Sequence, residues 1–165
     1  MARAVRKIVE TAGGHCIVKT SGKTGIHVYV PISAAYDFAE VRAVAKTIAR
    51  IVNRRLPKLT SLARSPTNRK NRIYLDYARN SIGQTLAAPY SLRAYPRATV
   101  STPLAWNELT KSIRPERYTM RTVFRRLNGK GDVWRKARGG TVNLRSLARK
   151  LRAAELLQAT RKQPG

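Results

Sequence analysis

The 165 residues include 34 Lys and Arg against 8 Asp and Glu, a formal net charge of +26 with an isoelectric point near 11.6. Charge of that size repels itself in a compact fold, so the expected partner is a polyanion, with nucleic acid first and an anionic membrane surface second; no membrane role is expected, because no apolar run approaches the roughly 18 residues of a spanning helix and the basic residues are spread over loops and helices instead of one amphipathic stripe. A single cysteine, Cys16, excludes an internal disulfide, and the absence of a signal-peptide pattern after Arg3, Arg6 and Lys7 places the expected location in the cytoplasm.

Residues 3–12 read as a short helix with Val5, Ile8 and Val9 on one face, stopped by Gly13-Gly14. Residues 15–20 read as a strand, Ser21-Gly-Lys-Thr-Gly25 as a polar turn and residues 26–31 as a second strand closed by Pro31. In that strand Ile26, Val28 and Val30 share one face, and His27 and Tyr29 the other. A turn of this composition can aim backbone N–H groups at a phosphate, with Lys23 adding charge. It is not a P-loop, because a strand rather than a helix follows and Gly14, the preceding glycine, is too far back for the motif. Asp37-Phe-Ala-Glu40 has the form of a capping box opening an amphipathic helix to about Leu56.

Pro57 to Arg72 turns polar and contains a basic loop, with Arg64, Arg69, Lys70 and Arg72 as candidates for tracking a DNA backbone. Residues 72–77 form a predicted strand in which Ile73, Leu75 and Tyr77 face a core and Asp76 the open side. A carboxylate among so many cations is either their salt-bridge partner or a ligand for a hard divalent metal. The segment 80–96, flanked by Arg79 and Arg93, suits a loop and strand (86–93) bordering a groove. Thr102-Pro103 opens a predicted short helix, and further helices are expected over 119–129 and 143–158, with the tail 160–165 frayed.

Four blocks in this order carry a resemblance: Lys19 to Pro31, Ile73 to Asn80, Ala88 to Arg93 and Val100 to Leu109. Together they resemble the primase-polymerase domain of bacterial DNA ligase D, in the archaeo-eukaryotic primase superfamily, which serves non-homologous end joining. The resemblance runs to Trp134 and implies a domain half at 1–134, followed by a basic helical tail at 135–165. The implied fold is α+β, a central mixed or antiparallel sheet with strands near 15–20, 26–31, 72–77 and 86–93, flanked by helices.

The resemblance also implies roles. Ser21, Gly22, Lys23 and His27 would hold a nucleoside triphosphate, with Arg79 and Arg93 near its phosphates. Asp76 matches a catalytic metal-binding carboxylate of a two-metal site taking Mn or Mg. The family's other two metal-binding aspartates, one residue apart, have no counterpart among the eight acids here. Ala94-Tyr95 also stands where relatives place a second arginine. The expectation is therefore a truncated or split repair polymerase that binds nucleotide and DNA but does not polymerise alone. Its expected partners are DNA, nucleoside triphosphates, a chain bearing the missing half, and end-joining proteins such as Ku. The alternative is a noncatalytic basic nucleic-acid-binding remnant.

Overall fold

In the computed structural model, which describes residues 1–137 and 139–160, helix α1 (Ala2–Thr11) ends at the two predicted glycines. Gly13, at φ +82°, donates to Glu10 O and Gly14 to Val9 O, both at 2.9 Å, which satisfies two carbonyls the helix leaves open. The chain divides into two compact units. The first comprises Met1–His15, Ile32–Thr85 and the chain from Thr141; the second comprises Cys16–Pro31 and Leu86–Gly140.

The first unit is built on α2 (Phe38–Arg55). Its capping box is formed as predicted: Glu40 N donates to Asp37 Oδ1 at 2.7 Å, and Asp37 N to Glu40 Oε2 at 3.2 Å. Ile48, Ile51 and Val52 are buried along one stripe, and α2 packs against α1 and against α6 (Leu144–Thr160). Asn143 caps α6 by accepting from Ser146 N, and Leu144, Leu147 and Leu151 are buried. The expected frayed tail lies beyond the described residues from 161 on. Strands β3 (Thr60–Ser61) and β4 (Ile73–Tyr74) form a two-stranded parallel pair, with the short helix α3 (Pro66–Arg69) between them.

The second unit holds a three-stranded antiparallel sheet ordered β2-β1-β5, from β1 (Ile17–Thr20), β2 (Ile26–Tyr29) and β5 (Pro103–Leu104). The register pairs Lys19 with His27 and with Pro103. Helices α4 (Met120–Lys130) and α5 (Val133–Ala137) complete it, and the Tyr29 and Trp134 rings meet edge-on at 5.1 Å. Cys16 is buried.

The α+β class and the helices near 3–12, 37–56, 119–129 and 143–158 are as expected; several strand assignments are corrected. The strand at 72–77 is only two residues long and pairs with β3 instead of joining β1 and β2. Of its predicted inward residues Leu75 is buried, Ile73 is 41% exposed, and Tyr77 falls in a 3-10 turn, Tyr77–Asn80, instead of the strand. Residues 86–93 are irregular: Pro89 and Tyr90, at φ +64°, break the strand, leaving one bridge from Leu92 to Val100. Pro103 opens no helix but sits in edge strand β5, where a missing N–H is tolerated; a 3-10 turn at Trp106–Glu108 follows.

Two substitutions test this packing. Asp37→Ala is expected to lower stability by about 1 kcal/mol through loss of the cap. Leu151→Ala should cost about 2–5 kcal/mol in urea unfolding, since α6 is part of the first unit's core; a cost below about 0.5 kcal/mol would mean that α6 only trails it.

Candidate nucleotide-binding site

The turn from β1 to β2 is organised by the Ser21 hydroxyl. Its Oγ accepts from Lys23 N at 3.1 Å and Gly25 N at 3.0 Å, while Ser21 N donates to Gly25 O at 2.9 Å. Two of the amides expected to point at a phosphate therefore serve the turn itself. The Ser21 O–H, whose oxygen already accepts twice, is left as the donor for a ligand.

Gly22 is at φ +73°, and a Cβ there would overlap the Arg93 side chain and approach Ser101 N to 2.9 Å. Only glycine lets the turn lie against the 93–101 ribbon. That ribbon is held by Arg93 N donating to Thr99 O at 2.8 Å and Ser101 N to Ser91 O at 2.9 Å, and Thr99 Oγ1 donates to Gly22 O. Arg93 is thereby fixed against the turn, and among the described residues its buried Nε has no hydrogen-bond partner. The Lys23 ammonium lies 6.0 Å from the Tyr95 ring centroid.

Beneath the turn, Lys19 is fully buried. Its Nζ donates to Ser101 Oγ, which in turn donates to Thr20 O at 2.8 Å, and it lies 5.7 Å from the Tyr29 ring centroid. Burial first, and then the Arg93 guanidinium, lower the Lys19 pKa from 10.5 to about 8. His27 is opposite Lys19 on the neighbouring strand, half-buried, with its ring edge-on to Tyr29 at 6.3 Å. The second unit thus brings together Ser21, Gly22, Lys23 and Arg93, with His27 paired to Lys19. In the sequence Lys19 is marked only by its place directly after the apolar run Cys16 to Val18, in a strand.

In the first unit, Asp76 leads into the 3-10 turn Tyr77–Asn80, and its Oδ2 accepts from Arg79 Nε at 3.1 Å. Arg79 Nη1 also donates to Gln84 Oε1 at 3.3 Å. Among the described residues no three His, Cys, Asp or Glu side chains are placed to hold a metal ion. A carboxylate with one oxygen on a guanidinium does not by itself fit a two-metal site. The basic loop is also partly committed to its own fold. Arg69 donates to Ala63 O at 3.0 Å and stacks 4.2 Å from the Tyr74 ring centroid, and Arg72 donates to Arg69 O at 2.9 Å. Arg64 and Lys70 are exposed.

Residues 1–134 match the family described as LigD, primase-polymerase domain. The chain belongs to that family. It is 33% identical over 131 residues to the bifunctional non-homologous end joining protein LigD of Bacillus subtilis, covering 79% of this chain and 21% of that protein. With the multifunctional LigD of Pseudomonas aeruginosa the identity is 32% over 121 residues, 73% of this chain and 14% of the relative. The chain therefore spans about a fifth or less of the length of these relatives. Its structure is similar to the polymerase domain of Mycobacterium tuberculosis ligase D in complex with DNA, with a TM-score of 0.77 and 28% identity, over 86% of this chain and 49% of that one. LigD primase-polymerase domains are metal-dependent polymerases of end-joining repair. The family match ends at Trp134, before α6. Among the described residues no helix is long and apolar enough to cross a membrane.

The buried Lys19 makes a pH prediction. Its pKa is lower in the folded chain than in the unfolded one, so between pH 8 and 10.5 the unfolded chain binds more protons and stability rises with pH. Urea unfolding is expected to show this rise from pH 8 to about 9, before tyrosines, with an ordinary pKa of about 10, ionise appreciably, and Lys19→Met should flatten it. An unchanged slope in Lys19→Met would refute the assignment.

Proposed function

We propose that these residues form the triphosphate- and DNA-binding part of an end-joining primase-polymerase. The observation that carries the reading is Arg93 locked against the Gly22 turn with a buried Nε lacking any partner among the described residues, beside buried Lys19. Two cations held together without a carboxylate repel each other until an anion enters between them. The ligand is read as the triphosphate of a nucleotide, with Ser21 donating its hydroxyl, Lys23 and Arg93 supplying charge, and His27 adding a ring nitrogen from β2. The single-strand and duplex parts of a primed DNA are read as the second ligand, drawn by the net charge of +26.

In the first unit, Asp76 is proposed as one ligand for Mn or Mg, with Arg79 orienting it. Two divalent ions, if bound, would supply charge neutralisation for phosphoryl transfer, and one carboxylate would not hold both. The remaining carboxylates are proposed to come from residues outside these 165, in another segment or another chain. The 135–165 region, whose α6 packs on α2, is proposed as a helical extension of the domain.

Titration calorimetry with ATP and manganese, and template-dependent extension of a gapped DNA bearing a 5′-phosphate, test the proposal. The expected result is ATP and DNA binding without extension by the chain alone. Arg93→Ala should weaken ATP about ten- to a hundredfold, the usual effect of losing a hydrogen bond to a charged group. Asp76→Asn should remove the manganese dependence and leave DNA binding intact. Unaltered ATP affinity in Arg93→Ala would overturn the triphosphate site. Extension that Asp76→Asn abolishes would show that the chain completes its own metal site, for instance across two copies.

A further inference from the structure

Helix α4 presents a side-chain combination that neither the fold nor the nucleotide site uses. Phe124 is 64% exposed and Met120 49%, while Val123, one position away, is buried. Arg121, Phe124, Arg125 and Asn128 follow the i, i+3, i+4, i+7 spacing of one helical face, and all four are exposed. Arg121 and Arg125 are like charges one turn apart, an arrangement that works against a helix unless an anion lies over it. Among the described residues neither they nor Arg117 form an ion pair.

Of this unit's three acids, Glu108, Glu116 and Asp132, none pairs with Arg117, Arg121 or Arg125 among the described residues. Glu108 binds Arg126 through both oxygens at 2.6 Å and also takes Lys130 at 2.6 Å, and Asp132 accepts from Tyr90 Oη at 2.6 Å and caps α5. The same contacts hold α4 still: Arg126 also donates to Pro103 O at 2.9 Å, and Thr119, the N-cap, bridges to Thr99. Beside the Arg125 side of the helix lies an open cleft of about 330 Å³, with Arg117, Tyr118, Thr122 and Gly129 among its walls.

We propose that α4 is a platform for single-stranded DNA, in which a base stacks on Phe124 and the flanking phosphates bind Arg121 and Arg125, the strand running on toward Arg117 along the cleft. An exposed ring between guanidiniums on a rigid helix suits this ligand: every base has a face to stack, and the backbone carries one charge per nucleotide. The apolar surface is one ring and one thioether, too narrow a stripe to bury an amphipathic helix, whereas a single unstacked base matches it. The inference rests on the reading of the chain as DNA-binding.

The test is fluorescence anisotropy with labelled oligothymidylate and with a blunt duplex, between about 50 and 200 mM salt. Phe124→Ala is expected to weaken oligothymidylate about 5- to 100-fold with the salt slope unchanged, since stacking carries no counterion. The Arg121→Ala, Arg125→Ala double variant should lower affinity and reduce the slope by about 1.4, at about 0.7 per phosphate contact. Phe124→Trp should restore affinity, with its indole emission quenched on binding. Duplex binding should change less than threefold in Phe124→Ala, and ATP affinity should not change in any of these exposed variants. Wild-type affinity for oligothymidylate in Phe124→Ala, or polyglutamate bound as tightly as oligothymidylate, would overturn the platform alone. Failure of the unaltered chain to bind any DNA would overturn this inference and the DNA reading together.

Discussion

The second unit depends on an ammonium group buried where, among the described residues, no carboxylate reaches it. Lys19 occupies the middle strand of the three-stranded sheet, and among the described residues Ser101 Oγ and Thr20 O are the oxygens that receive its protons. Such a cation is costly to bury, and the lowered pKa expresses that cost. The hydroxyl network around it, where Thr20 Oγ1 accepts from Thr102 N at 2.9 Å and Ser101 Oγ donates to Thr20 O, ties β1 to the ribbon that carries Arg93. One set of contacts therefore serves two ends. It satisfies a buried cation and presses a second cation against the glycine turn, so the site has positive charge in place before any ligand arrives.

Scarcity of acid governs the rest of the chain. Eight carboxylates face 34 cations, and most of the eight have structural work. Asp37 and Glu40 start α2, Glu10 and Glu155 pair with Arg6 and Arg54, and Asp132 caps α5. Glu108, drawn down to about 2 by Arg126 and then Lys130 against the opposing effect of burial, joins α4 to the segment after β5. Acids used in this way cannot shield the exposed arginines, whose field is left to attract phosphate. The charge excess is thus a property of placement as well as of composition, because structural neutralisation is concentrated at helix ends and one partly buried cluster.

Much of this was legible in the chain. Capping at Asp37, termination at Gly13-Gly14, the hairpin turn and the apolar stripe of α2 all follow from interactions within one or two helical turns, which neighbouring residues specify. The nucleotide-binding candidates were legible through the order of four short blocks. Less legible were the strands. Pro103 reads equally as a helix start or an edge-strand residue, and only the pairing of its strand with β1 decides between them. Alternation at Ile73, Leu75 and Tyr77 likewise predicted a longer strand than its partner, Thr60–Ser61, can support.

By itself the sequence determined the charge, the helices, the capping box at Asp37, the glycine turn and membership of a polymerase family, because each rests on local spacing or on the order of short motifs. Tertiary structure alone decided that Ser21 turns two amides inward, that Lys19 is buried against Ser101, that Arg69 and Arg72 brace their own loop and that Phe124 stands in the open. Residue 19 reaches the side chain of residue 101 and residue 126 that of residue 108, while the contacts of Ser21, Arg69 and Arg72 are nearer in the chain but need the backbone path that the fold imposes. A charged or aromatic side chain has the same letter whether it binds a ligand, a carbonyl or water. Only the fold, by fixing the neighbour, settles which of these it does.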